Sequence, residues 1–167
     1  MLYQQIEFPF FIIATIANIS LAIVVLRYSP KTQARYLFSI FVFAQVAWMI
    51  TNYLAFSVHG TSSFLYLSRL TMFTATFHAF FFFLFIHTFL EKYNMITRWF
   101  MVSMGSLVLG VAAFTLTPYV FSEVQIDATG QLTPVPGTGI VFFGAFVAFC
   151  VLWAFYSLVR KYRASEG

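Results

Sequence analysis

Few side chains in this sequence offer chemistry. Arg69, His78, His87, Gln45, Trp48, Asn52 and Cys150 lie within long apolar stretches, and His59 lies between two of them. Paired histidines raise haem ligation first. His78 and His87 are half a helical turn out of phase, so they face opposite sides and cannot hold one haem together. His59 falls in a connection and supplies no second axial ligand. Cys150 is the single cysteine, so no internal disulfide forms and no Cys/His zinc spacing exists. No Lys occupies an apolar stretch, which leaves no residue for a Schiff base. There is no Ser/His/Asp set, no HExxH and no phosphate-binding glycine loop. The residues therefore predict a chain without a catalytic constellation, a metal or a cofactor.

A binding or packing role fits the polar residues better. Arg69 is the one strongly charged residue inside an apolar stretch, about 8 Å below one end of its helix. An intramembrane charge is costly and is a functional candidate by default. Its readings are that the guanidinium snorkels to the headgroups or makes a structural pair, or that it meets a ligand. Gln45, Trp48 and Asn52 are spaced by three and four, so they share one helical face. That face is expected to point into the bundle, because amides in lipid seek a partner helix. By depth, Asn52 is expected to pair with Arg69 and Gln45 with His78. Arg69 and His78 face opposite ways, so only one of these pairs can be direct. Arg69 is expected to be the inward one, since a charge loses more in lipid than a neutral imidazole.

These residues are carried by five predicted spans: Phe8–Leu26, Tyr36–Val58, Phe64–Leu90, Trp99–Thr117 and Gly139–Val159. Each has about 20 residues, enough at ~1.5 Å per residue to cross a core of ~30 Å. No barrel-type alternation appears, and an open sheet cannot cross lipid, so the spans are helices. The expected fold is all-α, a polytopic transmembrane bundle of five helices in a single domain. The long connection 118–138 is the exception among short loops. Glu123–Ile126 suits a strand, Asp127–Gly130 a turn and Gln131–Thr133 a return strand, with Pro134 and Pro136 ending it. A small β-hairpin over the bundle and an irregular loop are both compatible with these residues. Small residues recur at four-residue spacing in Ala14/Asn18/Ala22, Ser106/Gly110 and Gly144/Ala148, and are expected to mark close helix packing.

All but one of the nine Lys and Arg residues flank alternate connections. Arg27, Lys31 and Arg35 follow the first span, Lys92 and Arg98 the third, and Arg160, Lys161 and Arg163 the fifth. This is the positive-inside pattern, and it puts the N-terminus outside and the C-terminus in the cytoplasm of a multi-pass cell-membrane protein. The acidic Glu7, Glu123 and Asp127 fall on the outer side. The chain is 61% hydrophobic and 8% charged, far from a soluble composition of roughly 45–50% apolar and ~25% charged. The net charge of +4 is explained by the flanks of the spans and does not indicate nucleic acid. The expected partner is the lipid bilayer.

Several short motifs together resemble one family. Leu26-Arg27-Tyr28-Ser29-Pro30-Lys31-Thr32 leads into Arg35-Tyr36-Leu37-Phe38. Ala47-Trp48 sits mid-helix, Leu67-Ser68-Arg69-Leu70 opens the third span, and Pro136-Gly137 precedes the fifth. The tail reads Arg160-Lys161-Tyr162-Arg163. The sequence resembles the N-terminal seven-helix membrane region of prokaryotic histidine kinases and related sensors. The resemblance implies a sensory input module, with Trp48 and Arg69 at the interface of the second and third helices. It also implies a ligand that is outside or membrane-soluble, a possible homodimer, and a cytoplasmic kinase or cyclase output. Five helices against the family's seven suggest a chain truncated after the fifth. The family's mid-helix proline is missing, since the third helix reads His78-Ala79-Phe80-Phe81-Phe82 there.

Two other classes compete with a sensor. A small transporter or channel subunit would show inverted repeats or broken helices, and no internal repeat or central proline is seen. No acidic residue lies in any span, which argues against a proton- or cation-coupled carrier. A structural membrane-complex subunit would use the same polar residues for packing alone.

Overall fold

The computed structural model describes residues 2–90, 98–127 and 130–165, with side chains described over 8–89, 99–127 and 130–163. Lys92, the Arg98 side chain and residues 128–129 of the expected turn lie outside the described residues. The elements run α1 (Leu2–Tyr28), α2 (Gln33–Ser57), α3 (Thr61–Leu90), α4 (Arg98–Thr115), β1 (Phe121–Ile126), β2 (Leu132–Pro136) and α5 (Ile140–Ser165). The fold is an all-α bundle of five helices with one two-stranded sheet, as the sequence predicts. Over Phe8–Tyr28, Gln33–Ser57, Thr61–Phe89 and Ile140–Arg163 the helices are long and apolar enough to cross a membrane. The apolar part of α4, Trp99–Thr115, is shorter.

Helix ends depart from the predicted spans because polar residues join the helices beyond the apolar core. The side chain of Thr32 caps α2 by accepting from the Arg35 backbone N–H at 3.3 Å, so the helix starts before Tyr36. α5 continues through the basic Arg160–Arg163 segment. Cations in a last turn are favoured by the helix dipole.

α3 is the centre of the bundle. It packs most extensively on α2, then on α5 and α4, and it also touches both strands, while α1 lies against α2. The main core joins α3 to α4 and α5 through Ala79, Phe80, Phe83, Leu84, Val108, Phe146 and Cys150. Of the three small-residue stripes, only that on α1 turns inward. Ala22 is fully buried, and Asn18 donates to the Ala14 carbonyl of its own helix at 2.8 Å. Ser106/Gly110 and Gly144/Ala148 are exposed, contrary to the packing expectation. The buried positions of those helices are Val108, Ala112 and Thr115 on α4 and Phe146, Cys150 and Ala154 on α5, on the opposite face. The small residues that do turn inward are Ala112 and Ala154, beside the larger Val108 and Phe146.

The strands pair antiparallel, with Val124 opposite Pro134, Gln125 opposite Thr133 and Ile126 opposite Leu132. At the turn, the Gly130 amide donates to Asp127 O at 3.0 Å and the Asp127 amide to Gln131 O at 2.9 Å. Gly130 takes a φ of +80°, the left-handed conformation that a three-residue hairpin loop requires. The hairpin is longer than predicted, because Pro134 and Pro136 do not end β2. Strand amides alternate in direction, and Gly137 donates to Val120 O across the ribbon at 2.8 Å. Residues of the other parity, Pro134 and Pro136, therefore turn their nitrogens outward, where no donor is needed. At the base, a Cβ on Gly137 would land on the Tyr119 carbonyl oxygen. Only glycine permits that close approach.

Candidate functional site near the N-terminal end of the third helix

Arg69 leaves α3 about two turns after the helix begins at Thr61. Side chains on a helix lean toward its N-terminus, so the guanidinium is aimed at β1. Its Nε and Nη2 both donate to the Phe121 carbonyl oxygen, at 3.1 and 2.6 Å. Phe121 pairs with Pro136, so both face away from the partner strand. Arg69 thus fills the place that an amide of a third strand would take. Phe121 is buried at 6% exposure, and the adjoining Val120 is fully buried. The hairpin is docked by one charged side chain and two apolar ones. No carboxylate partners Arg69 among the described residues.

The expected pairs are not formed. Arg69 is spent on Phe121, and no hydrogen bond joins it to Asn52 among the described residues. No hydrogen bond joins Gln45 to His78 either. The inference that Arg69 and His78 face opposite ways matches the geometry, and each has its own partner. Arg69 meets the hairpin, while His78 meets α2. There the imidazole lies between two rings: Trp48 at 5.8 Å and 7°, and Phe41 at 5.0 Å and 19°. The aromatic faces of α2 therefore do the work that amide pairing was expected to do.

One polar link between the helices escaped the sequence reading. Thr51 and Thr74 share a hydrogen bond of 2.9 Å across α2 and α3. The available signal was spacing: Thr51 follows Trp48 by three, and Thr74 precedes His78 by four, so all four share the facing surfaces. Arg35 was also read only as a basic flank. It is buried at 8% exposure, with Nη1 donating to Ser29 O at 2.8 Å and Nη2 to the Tyr36 hydroxyl at 2.7 Å. His87 stacks against Phe83 and Phe100, joining α3 to α4. No group of three or more His, Cys, Asp or Glu gathers to hold a metal among the described residues.

Long apolar helices and an apolar exterior define a multi-pass membrane protein. The family described as the N-terminal 7TM region of histidine kinase matches residues 10–167, and the chain belongs to it. Searches of curated proteins and of solved structures gave no match.

Proposed function

We propose that this chain is the sensory input domain of a membrane-embedded histidine kinase, with its N-terminus and hairpin outside and its α5 terminus in the cytoplasm. The observation that carries the reading is the grip of Arg69 on the Phe121 carbonyl. It ties the outer hairpin to α3, the helix in contact with α2, α4 and α5. A ligand at the hairpin that favours one arrangement of this junction would shift α3 against its neighbours. The Thr51–Thr74 bond and the Trp48–His78–Phe41 stack would carry that shift to α2. Asn52 and Gln45 flank this path. A cytoplasmic kinase domain is the output that the family implies, and Trp48 and Arg69 are the residues on which the input depends most. The basic flanks Arg27, Lys31, Arg35, Arg160, Lys161 and Arg163 support the orientation.

The test is autophosphorylation of the complete kinase in liposomes, in wild type and Arg69→Gln. A change of several-fold in basal activity, or loss of the response to an outer stimulus, is expected. Identical activity and response in the two proteins would sink the reading. Orientation is tested in intact cells with Ser122→Cys in a Cys150→Ser background. Labelling by an impermeant maleimide is expected, and its absence with labelling only after lysis would reverse the topology.

A further inference from the structure

Arg69 begins a regular row on α3. Phe73, Phe77 and Phe81 follow it at four-residue spacing, and so wind below it as a stripe in which each residue neighbours the next, turning about 40° per step. Phe73 and Phe77 meet edge to face at 5.1 Å, and Phe77 and Phe81 follow at 6.4 Å. All three rings are half-buried, and Phe77 and Phe81 back onto the main core. The row extends about 18 Å from Arg69 into the membrane. At its head, one N–H of Nε and one of Nη2 serve Phe121 O, while the guanidinium's other N–H groups have no acceptor among the described residues. Its positive charge meets no carboxylate there either. Tyr66, one turn above, is 62% exposed, so the head of the row is open at its outer edge. A cation in apolar surroundings is stabilised by an anion that satisfies its remaining donors.

We propose that Arg69 and the Phe73–Phe77–Phe81 row form a binding site for an anionic amphiphile. An oxyanion head, carboxylate or phosphate, accepts hydrogen bonds from the free edge of the guanidinium, and an alkyl tail lies along the rings. This names the ligand class for the sensory site above and rests on that reading. The head takes the donors that the Phe121 carbonyl leaves free but shares the same positive charge, so occupancy alters the hairpin's grip on α3. The tail gains only packing against the rings, since lipid tails are equally apolar, and the head gives selectivity.

The test uses the full chain in nanodiscs of neutral phosphatidylcholine and a photoactivatable dodecyl phosphate. Saturable labelling within Arg69–Phe81 is expected, displaced by dodecyl phosphate and dodecanoate but not by dodecanol. Arg69→Gln is expected to weaken labelling at least tenfold, and Arg69→Lys, which keeps the charge, to weaken it less. If Arg69→Gln does not fold, Phe77→Ala and Arg69→Lys carry the test, with a several-fold loss expected in each. Nanodiscs containing phosphatidylglycerol distinguish the source. Full displacement assigns the site to a membrane lipid headgroup, and persistent labelling assigns it to a free amphiphile. Labelling that dodecanol displaces as well as dodecyl phosphate, or that Arg69→Gln leaves unchanged, overturns the proposal and shows ordinary lipid tails on the row. Binding is read without a kinase signal, so its failure leaves the sensory reading standing.

Discussion

Two arginines anchor opposite ends of this bundle, and they are held in different ways. Arg35 sits at the corner between α1 and α2. Its acceptors, Ser29 O and the Tyr36 hydroxyl, lie within six residues of it in sequence, and its guanidinium also rests over the Tyr36 ring at 4.6 Å. A cation beside the last carbonyls of α1 also suits the helix dipole. Among the described residues Arg69 has one acceptor, the Phe121 carbonyl, 52 residues away. The first arginine closes a local corner and has little left to offer a ligand, although its Nε lacks a partner. The second holds two distant elements together by a single oxygen. A contact of that kind is easier to exchange, because only one carbonyl has to be released. Arg35 is buried and Arg69 only part-buried, and the number and sequence distance of their acceptors separate a staple from a latch.

The base of the hairpin is where its junction with α3 breaks most readily. Gly137→Ala forces a Cβ onto the Tyr119 carbonyl, and a loss of about 3 kcal/mol is expected from overpacking backbone against backbone. Thermal unfolding in detergent measures it, and an unchanged midpoint would mean that the base is loose. Arg69→Gln removes the charged donor and is expected to cost about 2 kcal/mol, confined to the hairpin. Hydrogen exchange should then rise about 30-fold for hairpin amides while α3–α5 amides stay protected. Uniform acceleration would show Arg69 to be a global staple like Arg35.

Arg35→Lys sharpens the other half of the comparison. Lysine keeps the charge and loses the fork, so about 1 kcal/mol of global stability should go, with no selective effect on hairpin exchange. The smallest effects concern the α2–α3 interface. Thr51→Val is expected to cost about 0.6 kcal/mol, the usual worth of one interhelical hydrogen bond in a membrane. Asn52→Leu should change stability by less than about 0.5 kcal/mol, since Asn52 holds no hydrogen-bonding partner among the described residues. A larger loss in the second variant than in the first would restore Asn52 as the polar contact between these helices.

Legibility followed the range of the interactions. Five helices were readable because each satisfies its own backbone and hydropathy alone reports it. The hairpin turn was readable because Asp127 to Gly130 is a local pattern, although β2 ran on through Pro134 and Pro136. Their outward register depends on the partner strand, and no proline rule applied to β2 alone supplies it. Trp48 and His78 were both singled out, but as members of an amide network, because residue depth says which side chains are level and not which rotate into contact. The small-residue stripes at Ser106 and Gly144 misled for the same reason. A spacing defines a face without saying what it meets.

The sequence by itself determined the solvent of this protein, the number of its helices, the sidedness of its positive charge and the one arginine out of place. Those properties belong to single residues and single segments, and water or lipid enforces them locally. Tertiary structure alone decided that Arg69 grips Phe121 O, that His78 is stacked between Trp48 and Phe41, and that α3 is the helix the others share. Each of these depends on how helices rotate and approach one another. In a nearly uniform apolar solvent no hydrophobic difference sets that rotation, so it falls to packing and a few hydrogen bonds.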